Sequence, residues 1–206
     1  GGWLSWGCPF SKRAMPEIKG AIYRIQRKDI SVRHDPRGLK LLWDSLKPKD
    51  LIHLLNDSRP VVRDKAVNAI IARGDAILDM MSKLIVKSSD PAFRKRCLWA
   101  VSRIKSKSSL VFLQKALNDL DSGVRQVAAR SLGRLKDKTA LMPMIPLLSD
   151  SSLSVRATAA TAIGQLEDKK ALPYLFRNLN PNDPIHTRHS FVYAIRQIGD
   201  VAEVSS

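Results

Sequence analysis

Two kinds of chemistry-bearing residue stand out in this chain: scattered histidines and cysteines, and a regular column of arginines. The histidines are His34, His53, His186 and His189. Only His186 and His189, three apart at a helix start, are spaced to share a face. No carboxylate or thiol joins them in sequence, so no metal centre is expected. Cys8 and Cys97 form neither a CxxC pair nor a disulfide framework. There is no HExxH, no Gly-rich phosphate loop and no recognisable Ser, His and Asp set. Paired carboxylates are absent apart from turn aspartates. The sequence therefore predicts no catalysis and calls for no cofactor.

The arginine column is Arg63, Arg94, Arg125, Arg156 and Arg188, spaced 31, 31, 31 and 32 residues apart. A guanidinium is a planar fork that bonds carboxylates or phosphates bidentately. Five such forks at a fixed period could line up on phosphates, or could tie neighbouring repeats to acidic turns. Like residues at like positions in a repeat usually serve the repeat. The expectation is a structural ladder, each Arg lying close to the acidic turn of the preceding unit.

The elements that place this column recur with it. Three residues after each Arg comes Ala66, Cys97, Ala128, Ala159 or Phe191. Seven after comes Ile70, Val101, Leu132, Ile163 or Ile195. A second apolar run precedes each Arg, and Asp57, Asp90, Asp121, Asp150 or Asp183 joins the two halves. Asp suits that junction because its carboxylate accepts backbone N–H bonds. Each unit thus reads as helix, acidic turn, helix. A period in the thirties marks a solenoid whose stacked units bury one continuous core. The predicted fold is all-α, with five helix pairs over residues 48–200.

The string DSSLSVRATAATAIGQLED followed by KKALPYL resembles HEAT repeats, most closely the phycobilisome-lyase type. That resemblance covers residues 48–200 and implies an armadillo-like scaffold that binds protein. It also makes Pro146, which bends a first helix, an expected feature.

Residues 1–30 do not share the period. GGWLSWGCPFSKRAMPEIKG is rich in Gly and Trp, and AIYRIQRKD alternates as a strand does. The run, with the DPRG that follows, resembles the junction in bacterial membrane-bound dehydrogenases. There a β-propeller ends in such a strand, HEAT repeats follow, and then a cytochrome c domain. By that resemblance residues 1–30 are the tail of a propeller, and the chain is a fragment of a cell-envelope protein. Neither a propeller active site nor CxxCH is present, so no oxidoreductase residue is carried over. Residues 31–47 read as a linker whose Leu41, Leu42 and Trp43 fold back to cap the first unit. Residues 201–206 read as the start of a continuation.

The net charge of +16 invites acidic partners (nucleic acid, anionic lipid or an acidic protein), but it reads first as a solvated basic surface, or as a piece whose acidic neighbours lie outside this fragment. No apolar run reaches the length of a membrane span. At 100° per residue, positions one, five and nine after the ladder Arg fall opposite the apolar face. These are Lys95, Trp99 and Arg103, then Gln126, Arg130 and Arg134, with Tyr193 in the fifth unit. They are the predicted binding stripe, since second helices line the concave face in HEAT-like stacks. The alternative is a basic concave surface that holds nucleic acid.

Overall fold

A computed structural model describes residues 34–199. The expected propeller tail and the expected continuation lie outside the described residues. From Asp35 onward the chain forms one compact unit. Among the described residues it is helical throughout, with no strand.

Five helix pairs follow in order. They are α1 (Pro48–His53) with α2 (Pro60–Arg73), then α3 (Leu78–Lys87) with α4 (Pro91–Val101). Next come α5 (Lys107–Lys115) with α6 (Ser122–Arg134), and α7 (Leu141–Met144) with α8 (Leu153–Gln165). The last pair is α9 (Leu172–Asn178) with α10 (Ile185–Ile198). Most first helices are eked out by 3-10 turns. In the fourth unit α7 is only one turn long, and Pro146 starts the 3-10 segment Ile145–Ser149. Proline has no N–H to donate and clashes with the preceding turn, so the α-helix cannot run through it.

The core follows the repeat period. Ala66, Cys97, Ala128, Ala159 and Phe191 are all buried, as are Ile70, Val101, Leu132, Ile163 and Ile195. Val62, Phe93, Val124, Val155 and Thr187, one before each ladder Arg, are buried too. Cys97 is thus a core residue, and burial pushes its thiol up to about 12. At pH 7 it stays protonated and inert.

Eight residues after the ladder Arg stand Ile71, Ser102, Gly133, Gly164 and Arg196. The two glycines let second helices touch backbone to backbone. A Cβ on Gly133 would lie 2.7 Å from Ala162 Cα, and one on Gly164 2.8 Å from Ala194 Cα. Eleven residues after the Arg, the chain leaves the helix through a left-handed residue: Gly74, Lys105, Lys136 or Glu167. Glycine takes that conformation freely, while the other three accept a cost of about 1 kcal/mol each.

The N-terminal cap differs from expectation at Leu41 and Leu42, neither of which packs against the core. Trp43 packs against the core and its Nε1 donates to Gly38 O at 3.0 Å. Leu46 packs there too, but Leu42 is 76% exposed. The short 3-10 turn Trp43–Ser45 points Leu42 away, so Leu46 takes the place expected of it. The DPRG turn holds Gly38 at φ 63° against Val62. Arg73, where later units have an apolar residue, donates to Leu46 O at 2.7 Å.

Candidate functional site

The ladder arginines sit in the first turns of the second helices. Where they pair, the pairing runs opposite to the sequence expectation: Arg94, Arg125 and Arg156 each reach the acidic turn of the following unit. Arg94 donates from Nε and Nη2 to the two Asp119 oxygens at 2.9 and 2.8 Å. Arg125 does the same to Asp150 at 2.7 and 2.8 Å. Arg156 makes a single contact, Nη2 to Asp183 Oδ1 at 3.1 Å. The physical reason is the stagger of the helix pairs, which brings residue i+25 (i+27 for Arg156) rather than the preceding turn alongside the guanidinium. Backwards, the Arg reaches only main chain of its own turn: Arg63 to Asp57 O, Arg94 to Ser88 O, Arg125 to Asp119 O.

The two ends break the series. Ser88 occupies the position equivalent to Asp119 and Asp150, so Arg63 makes no ion pair at contact distance among the described residues, although its charge helps hold the Asp57 carboxyl low. Asp57, which meets no ladder Arg of an earlier unit among the described residues, is held bidentately by Arg59 at 2.9 and 2.8 Å. Arg188 keeps a buried Nε with no hydrogen-bond partner among the described residues. The five-rung ladder expected from sequence is therefore three carboxylate rungs with modified ends.

These contacts shift acidities. Burial pushes the Asp150 carboxyl up, but the Arg125 hydrogen bonds, the Ser152 N–H and the nearby arginine charges outweigh it. The net position lies below the usual carboxylate value. A carboxyl whose folded pKa is depressed contributes stability that is fully present above its unfolded pKa, near 3.9. That contribution is lost as pH falls through the folded value. Thermal unfolding should show the wild type losing stability below about pH 4 more steeply than Asp150→Asn does. Parallel curves for the two proteins would remove Asp150 from the acid response.

The predicted stripe lies on the second helices. Trp99, Arg103, Arg130, Arg134 and Tyr193 are exposed, Trp99 at 44% and Tyr193 at 57%. Lys95 and Gln126 are only half-exposed. Gln126 is tied across the repeats, its Nε2 donating to Thr158 Oγ1 at 2.9 Å. Ala157, Thr161 and Gln165 of α8 separate Arg130 and Arg134 from Tyr193, so the aromatic and basic character is interrupted. The Arg103 guanidinium lies over the Trp99 ring, 5.2 Å from its centroid. Arg103, Arg130 and Arg134 have no carboxylate within ion-pair distance among the described residues.

Two recesses open along this face. One, of about 240 Å³, lies between α2 and α4 beside Trp99 and Arg103. The other, of about 300 Å³, lies among α6, α8 and α10 beside Arg130 and Arg134. A larger apolar groove of about 710 Å³ runs along the other edge, between units two and three. Sequence reasoning missed it. Its signal is the pair of exposed apolar residues Val86, in the last turn of α3, and Leu120, in the bend before α6. His186 and His189 are both exposed, and no group of His, Cys, Asp and Glu among the described residues could hold a metal. No helix there is long and apolar enough to cross a membrane.

Stacked helix pairs of one period, sharing a core and linked by Arg–Asp rungs, define an α-solenoid repeat protein. The profile of HEAT repeats matches residues 48–129 and 110–196, and the chain belongs to the HEAT-repeat family. No curated protein matches it. Among solved structures it is similar to the complex of CpcE and CpcF of phycocyanin lyase from Nostoc sp. PCC7120. The TM-score is 0.57 at 19% identity, covering 84% of this chain and 70% of that one. Human deoxyhypusine hydroxylase gives 0.47 at 17% identity, with 73% of each chain covered. A designed armadillo repeat protein in complex with the peptide (KR)4 gives 0.47 at 22%, covering 73% of this chain and 81% of that one. At these identities the likeness is one of fold.

Proposed function

We propose that this chain is a non-catalytic scaffold that binds an acidic polypeptide along its second-helix face. One observation carries the reading. The inner ladder arginines are neutralised by aspartates, whereas Arg103, lying over Trp99, and Arg130 and Arg134 on the next second helix stand exposed with no ion pair among the described residues. Charges left open on one face steer an oppositely charged partner and set its orientation. Trp and Arg are also the residue types most enriched at interface hot spots. The similarity of residues 1–30 to a propeller tail supports a more specific setting. In it the solenoid joins a dehydrogenase-like propeller to an electron-transfer domain in the cell envelope, and the acidic partner belongs to a neighbouring domain.

The charge of +16 also favours a second reading, duplex DNA on the same face. An Arg130→Ala, Arg134→Ala double variant separates the outcomes. It should bind a polyglutamate peptide about tenfold more weakly than wild type while unfolding at the same temperature. Unchanged affinity would exclude the face. Tighter binding of duplex DNA than of polyglutamate, with a steep log-linear fall in salt, would favour nucleic acid instead.

A further inference from the structure

We propose that the recess between α2 and α4 is an anion pocket that takes a glutamate side chain of the acidic partner. The inference rests on the preceding reading and locates its anchor point. It starts from the break in the ladder. Ser88 holds the place in its turn that Asp119 and Asp150 hold in the turns of the next two units. Its Oγ accepts the Asp90 N–H, just as Asp119 Oδ1 accepts Asp121 N–H and Asp150 Oδ1 accepts Ser152 N–H. What it lacks is the second arm that would reach Arg63. The Arg63 guanidinium spends Nη1 on Asp57 O and keeps its other donors.

Two more guanidiniums line the same recess. Arg96 donates to Asn56 Oδ1, an uncharged partner, and Arg103 has only the Trp99 ring. No carboxylate lies within ion-pair distance of any of the three among the described residues. Asp64 is the one acid on the wall and pairs with none of them, so the lining carries an excess of positive charge. Asn68 adds an amide donor, and buried Leu55 and half-exposed Trp99 give the recess an apolar floor and side.

The chemistry selects a carboxylate on a short apolar stem. A guanidinium fork matches a carboxylate in plane, and the Trp99 face offers contact to the methylenes of a glutamate. About 240 Å³ admits one or two such side chains.

Ser88→Asp provides the test, because it restores the missing rung and gives Arg63 an internal carboxylate. Binding is read by calorimetry with a hexaglutamate peptide. The variant should bind about tenfold more weakly than wild type, and its unfolding temperature should rise. Ser89→Asp, which adds the same charge one residue away, should stay within about twofold of wild type. Three outcomes would overturn the proposal: Ser88→Asp binding as tightly as wild type, the two variants weakening equally, or hexaglutamate failing to bind wild type. Full competition by inorganic phosphate at the peptide's own concentration would overturn the carboxylate assignment. If Arg130→Ala, Arg134→Ala weakens binding while Ser88→Asp does not, the face stands and the recess falls.

Discussion

Arg125→Ala should lower the unfolding free energy by about 3 kcal/mol, while Lys115→Ala should change it by well under about 1 kcal/mol. Arg125 is the central rung. Its side chain is 14% exposed, and that of Asp150, its partner, is 7% exposed. The alanine variant leaves the Asp150 carboxylate in a largely dry site with only the Ser152 N–H bond and the more distant Arg156 charge to offset it. It also frees two carbonyls, Asp119 O and Leu120 O, that Arg125 Nη1 now satisfies. Lys115 is exposed and makes no ion pair, so its loss removes little. Chemical denaturation of both variants reads the difference. Equal midpoints would show that the rung does not hold the stack.

Gly133→Ala should cost about 2–3 kcal/mol, although alanine is the better helix former by about 1 kcal/mol. The added methyl would fall 2.7 Å from both Ala162 Cα and Ala162 Cβ. A backbone atom cannot swing aside as a side chain can. Relief requires α6 and α8 to separate, and that strips contacts along both helices. Gly123→Ala is the matched comparison. Its methyl would meet the Asp121 carboxylate at 3.1 Å and the end of the Lys95 side chain at 3.3 Å. The Lys95 end is flexible, and Asp121 Oδ1, which caps the helix by accepting the Val124 N–H, need yield only slightly, so this variant should cost far less than Gly133→Ala. If Gly133→Ala melts with Gly123→Ala, the close approach of α6 and α8 is not required.

The fold was legible because its signal is periodic. Each core column named from the spacing, such as Ala66, Cys97, Ala128, Ala159 and Phe191, is buried. Gly133 and Gly164 were readable as close packing for the same reason. The direction of the Arg rungs was not legible. Spacing within a unit says nothing of the stagger between units, and the stagger decides which turn each guanidinium meets. The break at Ser88 was visible yet hidden by alignment. Lining the turns up on Asp90 and Asp121, the helix N-caps, conceals that the rung residue lies two positions earlier. Gln126 was assigned to the stripe by angle alone, and Thr158 on the next helix captures it. The expected propeller tail lies outside the described residues, so its reading still rests on resemblance.

The two glycine crossings have a consequence for how the stack comes apart. They join α6 to α8 and α8 to α10, whereas Ile71 and Ser102 hold the corresponding place in α2 and α4. The missing rung at Ser88 falls in the same half of the chain. In a linear array each unit is held only by its neighbours, so the weakest joint decides where cooperativity breaks. Here that joint lies between the first and second units, and the last three units form the more tightly coupled block. Melting would then proceed as two domains of unequal strength within a single uninterrupted row of repeats.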